Sequence, residues 1–373
     1  MGGGPTRSFV TKSRQDPVIA FSLFLNIAAS VVCLLGYRKS GRDWVFLLGK
    51  GKGGERLKLV SYKRHTTPGQ SWRAGIRMDQ GILDVQEALT DAPSTVMELL
   101  TDWEHWYERL QELQYTTGMQ AAAFRKAQPL EDVVLGSPIP RPNSFRDFYA
   151  FEAHVKTARE KRGLSMVPEW YQFPVFYFSN ANAFLGPDEP VHRPKATSWL
   201  DYELEVACVI GKGGMDISVQ EADRHIAGFC ILNDWSARDV QREEVKVGLG
   251  PAKGKDFATS LGPWLVTPDE LADRMHPSEK GARYDLNMVA RVNGVEYSRG
   301  NLRDLYYTFA EMIARASADC PLYPGDVIGS GTVGTGCILE LGSEHYPWLQ
   351  PGDVVELEVD GLGVLRSRIS ESR

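Results

Sequence analysis

Apolar and polar positions alternate in short stretches over most of this chain. Residues 57–62, 74–77 and 81–84 have the period of strands and predict a small amino-terminal β module. Residues 91–114 carry apolar side chains at helical spacing and predict one or two helices. Pro138, Pro140 and Pro142 mark an extended crossing. Beyond it a helix is predicted, capped by Asn143 or Ser144, with Phe148, Phe151 and Val155 on one stripe and Gly163 as its stop. Strands follow at 173–178, 202–210 and 225–232, with a short helix from about Ser236. A second helix is predicted over 301–316, with Leu302, Leu305, Phe309, Met312 and Ile313 facing inward. Twin turn signals, Pro324-Gly325-Asp326 and Pro351-Gly352-Asp353, introduce further strands, and Asp360-Gly361 reads as a two-residue hairpin turn. The sum is a mixed, mainly β and mostly antiparallel domain with a few helices, without alternating βαβ units or solenoid repeats. Three segments are expected: an extension over 1–55, a small β/α module over 56–135 and a main domain over 136–373.

The amino terminus breaks the pattern. Residues 18–37 form an uncharged run long enough to span a bilayer, with Arg14 before it and Arg38, Lys39 and Arg42 after it. Ser22, Asn26 and Ser30 dilute its hydrophobicity, and basic residues on both sides leave an orientation undecided. There is no convincing signal-peptidase site. The Gly/Lys-rich segment 49–54 reads as a linker. A membrane anchor and an extension read from a start codon placed too far upstream are both consistent with this region.

Composition narrows the class. With 43% hydrophobic and 24% charged residues the chain reads as a globular domain with a sizeable core, and 36 glycines and 21 prolines suit a fold rich in tight turns. A net charge of −6 with no basic cluster argues against a nucleic-acid partner. Cys33, Cys208, Cys230, Cys320 and Cys337 show no C-x-x-C pairing and lie mostly in apolar runs, which implies reduced core thiols in a cytoplasmic setting.

Candidate chemistry begins with Glu203 and Glu205, two apart in the apolar stretch 202–210 and hence on one face of the predicted strand. Carboxylates that close repel unless water or a hard cation screens them; a solvated strand face is the plainer alternative. Asp147 and His154 are seven apart and would share one face of the predicted helix, although Asp147 would also serve as a first-turn charge and His154 as an ordinary structural histidine. Asp234 ends an apolar strand and suits either a helix N-cap or a metal ligand. Arg238 and Gln241 follow at a spacing of three, presenting two donors from one helix face. Glu340 interrupts a short apolar segment read as a strand, where a carboxylate is costly without a partner.

Two glycine-rich segments fail as nucleotide sites. In 248–255 no glycine stands five residues before Gly254, and Asp256 replaces the Ser or Thr of a phosphate loop. Gly329-Ser330-Gly331-Thr332-Val333-Gly334 matches G-x-G-x-x-G, but the segment after it reads as a strand where a dinucleotide site needs a helix.

Several strings in one order carry a resemblance. Asp147-Phe148-Tyr149 with His154, Phe173-Pro174-Val175-Phe176-Tyr177, Leu200-Asp201-Tyr202-Glu203-Leu204-Glu205, Asn233-Asp234-Trp235-Ser236-Ala237-Arg238-Asp239, Gly254-Lys255, Gly331-Thr332 and Leu339-Glu340 resemble the fumarylacetoacetate hydrolase family over about residues 57–373. The resemblance implies a rolled β-sandwich preceded by a small SH3-like β module. It implies that Asp147, Glu203, Glu205 and Asp234 hold Mg2+ or Ca2+ with Lys255 and Thr259 close by, and that His154 is a general base oriented by Glu340. Arg238, Gln241 and Lys255 resemble the donors to developing negative charge, and Tyr149, Tyr177, Thr332 and Arg162 substrate contacts, with Arg159 a competitor for the place of Arg162. Val245 departs from the pattern, standing where animal fumarylacetoacetases have a substrate-binding tyrosine.

These parts suit hydrolysis of a carbon–carbon bond in a 1,3-diketo acid, as in fumarylacetoacetate or an acylpyruvate, within aromatic-compound catabolism: a hard cation polarises the dicarbonyl, a carboxylate-held imidazole activates water, and cationic donors offset the enolate charge. Decarboxylation, isomerisation or hydration of a 2-oxo diacid uses the same scaffold, and a catalytically silent metal-binding or membrane-tethered module is the non-enzymatic alternative. A homodimer is expected by analogy alone.

Overall fold

The computed structural model describes the backbone of residues 21–27, 30–38 and 44–48, and residues 57–65, 69, 71–119 and 127–373. The chain divides into two units, Met1–Gly54 and Glu55–Arg373. In the first, strands Phe21–Ile27, Ser30–Arg38 and Trp44–Leu48 form an antiparallel sheet. The apolar run considered as a bilayer span therefore enters a hairpin instead of one continuous helix, because its Val- and Leu-rich halves pair with each other. Among the described residues no helix is long and apolar enough to cross a membrane. The proposed linker 49–54 lies outside the described residues.

The second unit is built on a large mixed sheet. Its main path runs Gly81–Asp84, Arg73–Met78, Lys58–Arg64, Thr259–Val266, Ile226–Asp234, Glu205–Ile210, Val327–Gly329, Phe145–Phe148 and Phe176–Phe178. A second sheet, Pro190–His192, Gly363–Ser370, Val354–Val359, Asn287–Val292 and Val295–Asn301, completes the layering. The fold is thus mixed and mainly β, as the alternating pattern predicts. The amino-terminal strands join the large sheet directly, since Leu59 pairs with Leu265.

Strand Glu205–Ile210 has no polar face after its first residue because both of its faces are covered. Val206, Cys208 and Ile210 pack toward Phe229, Met288, Leu357 and helix Phe309–Ser317, while Ala207 and Val209 join Leu57, Trp103, Trp106 and Leu232. A strand buried on both sides reads as a continuous apolar run, which is the pattern of residues 206–210. The face of the large sheet that carries Ala207 and Val209 is covered by helices Val96–Leu100, with a Thr95–Glu98 capping box, and Trp103–Met119.

Four predicted elements are corrected. The helix expected over 143–163 is strand Phe145–Phe148 followed by helix Glu152–Glu160. The strand gains neighbours on both edges, parallel Val327–Gly329 and antiparallel Phe176–Phe178, and those ladders outweigh the local helical spacing. The helix expected from Asn301 starts at Phe309, where Thr308 and Glu311 form a capping box, yet its inward residues are all buried. The segment containing Glu340 is a one-turn helix, Ile338–Leu341, not a strand. The last hairpin spans Asp360, Gly361 and Leu362, one residue longer than expected, with Val359 opposite Gly363. Cys208, Cys230 and Cys337 are buried free thiols, whereas Cys320 is exposed.

Candidate active site

The predicted acidic residues converge. Asp147 comes from strand Phe145–Phe148, Glu205 opens strand Glu205–Ile210, and Asp234 closes strand Ile226–Asp234. Glu203 lies just before the strand that Glu205 opens, tied through its backbone N–H to Asn233 Oδ1 at 2.9 Å, so the two glutamates do not lie on one strand. Oxygens of Asp147, Glu203 and Glu205 lie within 4.8 Å of one another, all buried. Asp234 adjoins them through Lys255, whose Nζ donates to Glu203 Oε2 at 2.5 Å and stands 2.9 Å from Asp234 Oδ2. Thr259 Oγ1 is 3.4 Å from Asp234 Oδ1, and Tyr177 donates its hydroxyl to Asp234 Oδ2.

The G-x-G-x-x-G segment serves this cluster. A Cβ on Gly329 would lie 2.3 Å from Asp147 Oδ1, so only glycine lets the carboxylate lie across the neighbouring strand. Gly331, at φ +76, donates its N–H to Asp147 Oδ1 at 3.3 Å, and Thr332 Oγ1 donates to Glu205 Oε1 at 3.3 Å. A helical turn, not the expected strand, follows the segment, and its glycines make room for protein atoms, Gly334 against Ala153.

Electrostatics divide the carboxylates. Burial, and then the charge of Asp234, pushes Asp147 well above the usual carboxylate range; burial with Asp147, Glu203 and Asp234 does the same to Glu205. Asp234 is also raised by burial, with Lys255 opposing. Burial would raise Glu203 too, but Lys255, Arg238 and His154 together hold it well below its ordinary value. Glu205 Oε2 is buried without a hydrogen-bond partner. Lys255 and Arg238 bring two cationic charges to this group of four carboxylates, and Arg238 is shared with a fifth, Asp201. An all-oxygen set with surplus negative charge and an orphaned oxygen fits a hard divalent cation.

His154, on helix Glu152–Glu160, is buried with Nδ1 2.7 Å from Glu340 Oε2, a close contact not aligned as a hydrogen bond. Asp147 and His154 do not share a helix: a turn between strand and helix separates them. Glu340 is held by Thr335 N–H at 3.1 Å and Cys337 Sγ at 3.5 Å. The Tyr149 ring meets His154 edge-on at 5.3 Å, and burial pushes its hydroxyl up to about 12, with Arg162 opposing. Arg162 is exposed and bonds Ala158 O, whereas Arg159 bonds Ser165 O. Arg238 donates to Glu203 at 2.8 Å and to Gln241 at 3.1 Å. Arg238 opens helix Arg238–Glu244, and Val245, at its C-cap, is exposed. The sequence gives no role to Asp201, Asn233 or Cys337; Asp201 and Asn233 stand in the motif strings beside Glu203 and Asp234, which is the signal that points to them.

Such a mainly β layered fold, with a buried oxygen-rich cluster beside a histidine–glutamate pair, defines the class to which the chain is matched by comparison. The family described as fumarylacetoacetate (FAA) hydrolase, C-terminal, matches residues 143–370, and the chain belongs to the fumarylacetoacetate hydrolase family. A fumarylacetoacetase of Oryza sativa subsp. japonica is 32% identical over 243 residues, covering 51% of this chain and 56% of that protein. The chain thus spans little more than half the length of the curated relatives it first matches. Among solved structures, a probable 2-hydroxyhepta-2,4-diene-1,7-dioate isomerase of Mycobacterium abscessus is 26% identical with a TM-score of 0.61, covering 86% of this chain and 100% of that one. A maleylpyruvate hydrolase of Sphingobium sp. SYK-6, solved with manganese(II) and pyruvate, has the same TM-score at 22% identity, over 85% of this chain and 100% of that one.

Proposed function

We propose that this protein is a divalent-metal-dependent hydrolase that cleaves a carbon–carbon bond in a 1,3-diketo acid of the fumarylacetoacetate or acylpyruvate type. The observation that carries this reading is the convergence of Asp147, Glu203, Glu205 and Asp234, with Glu205 Oε2 unpaired, beside the buried His154–Glu340 pair. The four carboxylates would hold the ion, Mg2+ or Ca2+ by its preference for oxygen, with Lys255 and Thr259 supporting Asp234. When bound, the ion supplies Lewis-acid polarisation of the dicarbonyl. His154, with Nδ1 held against Glu340, takes a proton from water at its other ring nitrogen. Lys255, Arg238 and Gln241 offset the negative charge of the departing enolate, and the buried setting strengthens those interactions. Tyr149, Tyr177, Thr332 and Arg162 contact the substrate. The protein acts as a homodimer by analogy with its family.

A second reading is isomerisation, decarboxylation or hydration of a 2-oxo diacid, and the likeness to the Mycobacterium abscessus structure, a probable isomerase, favours the first of these. One experiment separates the two. The purified protein with Mg2+ is offered a panel of 1,3-diketo acids and 2-oxo diacids in oxygen-18 water. Two acid products, one carrying a single label in its new carboxylate, are expected. A decarboxylated or isomerised product with no label in a new carboxylate, or a single product hydrated at a labelled hydroxyl, selects the second reading, and no turnover of any compound removes both.

A further inference from the structure

The geometry points to Asp201 as a positioning residue that locks the charge-stabilising side of the site to its base. This inference rests on the proposed hydrolytic reading. Asp201 is fully buried, on the short strand Leu200–Asp201 that pairs with Ser236–Ala237. Its Oδ2 accepts from Arg238 Nε at 2.8 Å and from the N–H of Leu339 at 3.1 Å, and its Oδ1 accepts from the N–H of Ile338 at 2.8 Å. Ile338 and Leu339 open the helical turn that carries Glu340. No side chain caps that turn from its own N-cap position, Cys337, so a carboxylate 137 residues earlier in the chain satisfies its first two N–H groups. One side chain therefore fixes two functional groups. Through Arg238 it reaches Glu203, which accepts from Arg238 Nη2 at 2.8 Å; through the turn it reaches Glu340 and so His154. Asp201 touches neither His154 nor the Asp147–Glu203–Glu205 oxygens, so its effect passes through Arg238 and Glu340.

Three hydrogen bonds from one carboxylate cannot all be kept by an amide, because Asn would turn an NH2 toward Arg238 or toward a backbone N–H. Asp201→Asn should lower kcat about a hundredfold with KM within threefold of the parent, since the groups it orients act mainly in the transition state. Magnesium affinity, read by calorimetric titration, should stay within threefold. In a Glu340→Gln background the same substitution should lower kcat only about tenfold, the share that passes through Arg238, because the route to the base is already cut. Amide exchange at Ile338 and Leu339 should accelerate. If Asp201→Asn fails to fold, Ile338→Pro serves: proline is tolerated at the first helical position, and it deletes one bond to Asp201 while leaving the Arg238 pair. It should lower kcat about tenfold. A parental kcat in the folded variant, or the full hundredfold loss repeated in the Glu340→Gln background, overturns the inference. If the parent turns over no diketo acid, the hydrolytic reading fails by itself; the exchange measurement then decides this one, and unchanged protection of Ile338 and Leu339 overturns it.

Discussion

Two buried acidic groups in this protein have opposite electrostatic solutions. Asp84, among the amino-terminal strands, accepts from Arg73 Nε at 2.6 Å, Arg73 Nη2 at 2.8 Å, the Tyr62 hydroxyl at 2.5 Å and the N–H of Glu87 at 2.8 Å. Burial would raise it, but those donors hold its carboxyl below the usual range. Glu205 is as deeply buried, receives one 3.3 Å bond from Thr332, leaves Oε2 without a partner and is pushed well above that range. The first group is complete as protein alone. The second has surplus acid and too few donors, an arrangement that costs stability unless a cation neutralises it. Burial of charge does not separate a structural cluster from a functional one; the balance of donors does.

The largest expected effect tests the base that only the second group has. His154→Ala should lower kcat by roughly a thousandfold while metal affinity stays within about threefold. Full activity in that variant would remove His154 from the chemistry and leave the carboxylates as a bare cation cage.

A paired measurement sharpens the contrast directly. Asp234→Ala should weaken Mg2+ binding by about a hundredfold in a calorimetric titration. Arg73→Met should leave that affinity unchanged and destabilise the fold by roughly 2 kcal/mol in denaturant unfolding, discounted because Arg73 is partly exposed. An affinity unaffected by Asp234→Ala would take Asp234 out of the site.

The smallest effect is in pH dependence, where the groups have opposite signs. Asp147 and Glu205 are raised in the folded metal-free protein, so they contribute stability below their unfolded values near about 4, lost as pH rises through the folded ones. Asp84 is lowered, so its contribution is present above the unfolded value and lost only as pH falls through the folded one. Chelated protein should lose at least about 1 kcal/mol of stability between roughly pH 5 and 8, and saturating Mg2+ should flatten that slope. Metal-free stability that rises over this interval would contradict the assignment of surplus acid to the site.

Much of the site was legible because motif strings keep their order even when their local structure is misread. The sequence points to Asp147, His154, Glu203, Glu205, Asp234, Lys255 and Glu340, and the structure brings them together, although it puts Asp147 on a strand and not a helix, Glu203 just before its strand and Glu340 on a helical turn. These differences share a cause. Helical spacing at 148, 151 and 155 is a local property, while Phe145–Phe148 is a strand because Val327–Gly329 and Phe176–Phe178 flank it. The role of Asp201 is not legible in the sequence because its partners, Arg238 and the N–H groups of Ile338 and Leu339, are 37 to 138 residues away.

By itself the sequence determined the mainly β class, the core positions of the helix at Phe309–Ser317, and which acids, bases and cations are available, since periodicity and residue chemistry are carried by each segment alone. Tertiary structure alone decided which carboxylates are compensated, which oxygen is left unpaired and which distant side chain caps the turn of Glu340. Hydrogen bonding and desolvation depend on neighbours brought together by folding, and no linear pattern contains those distances.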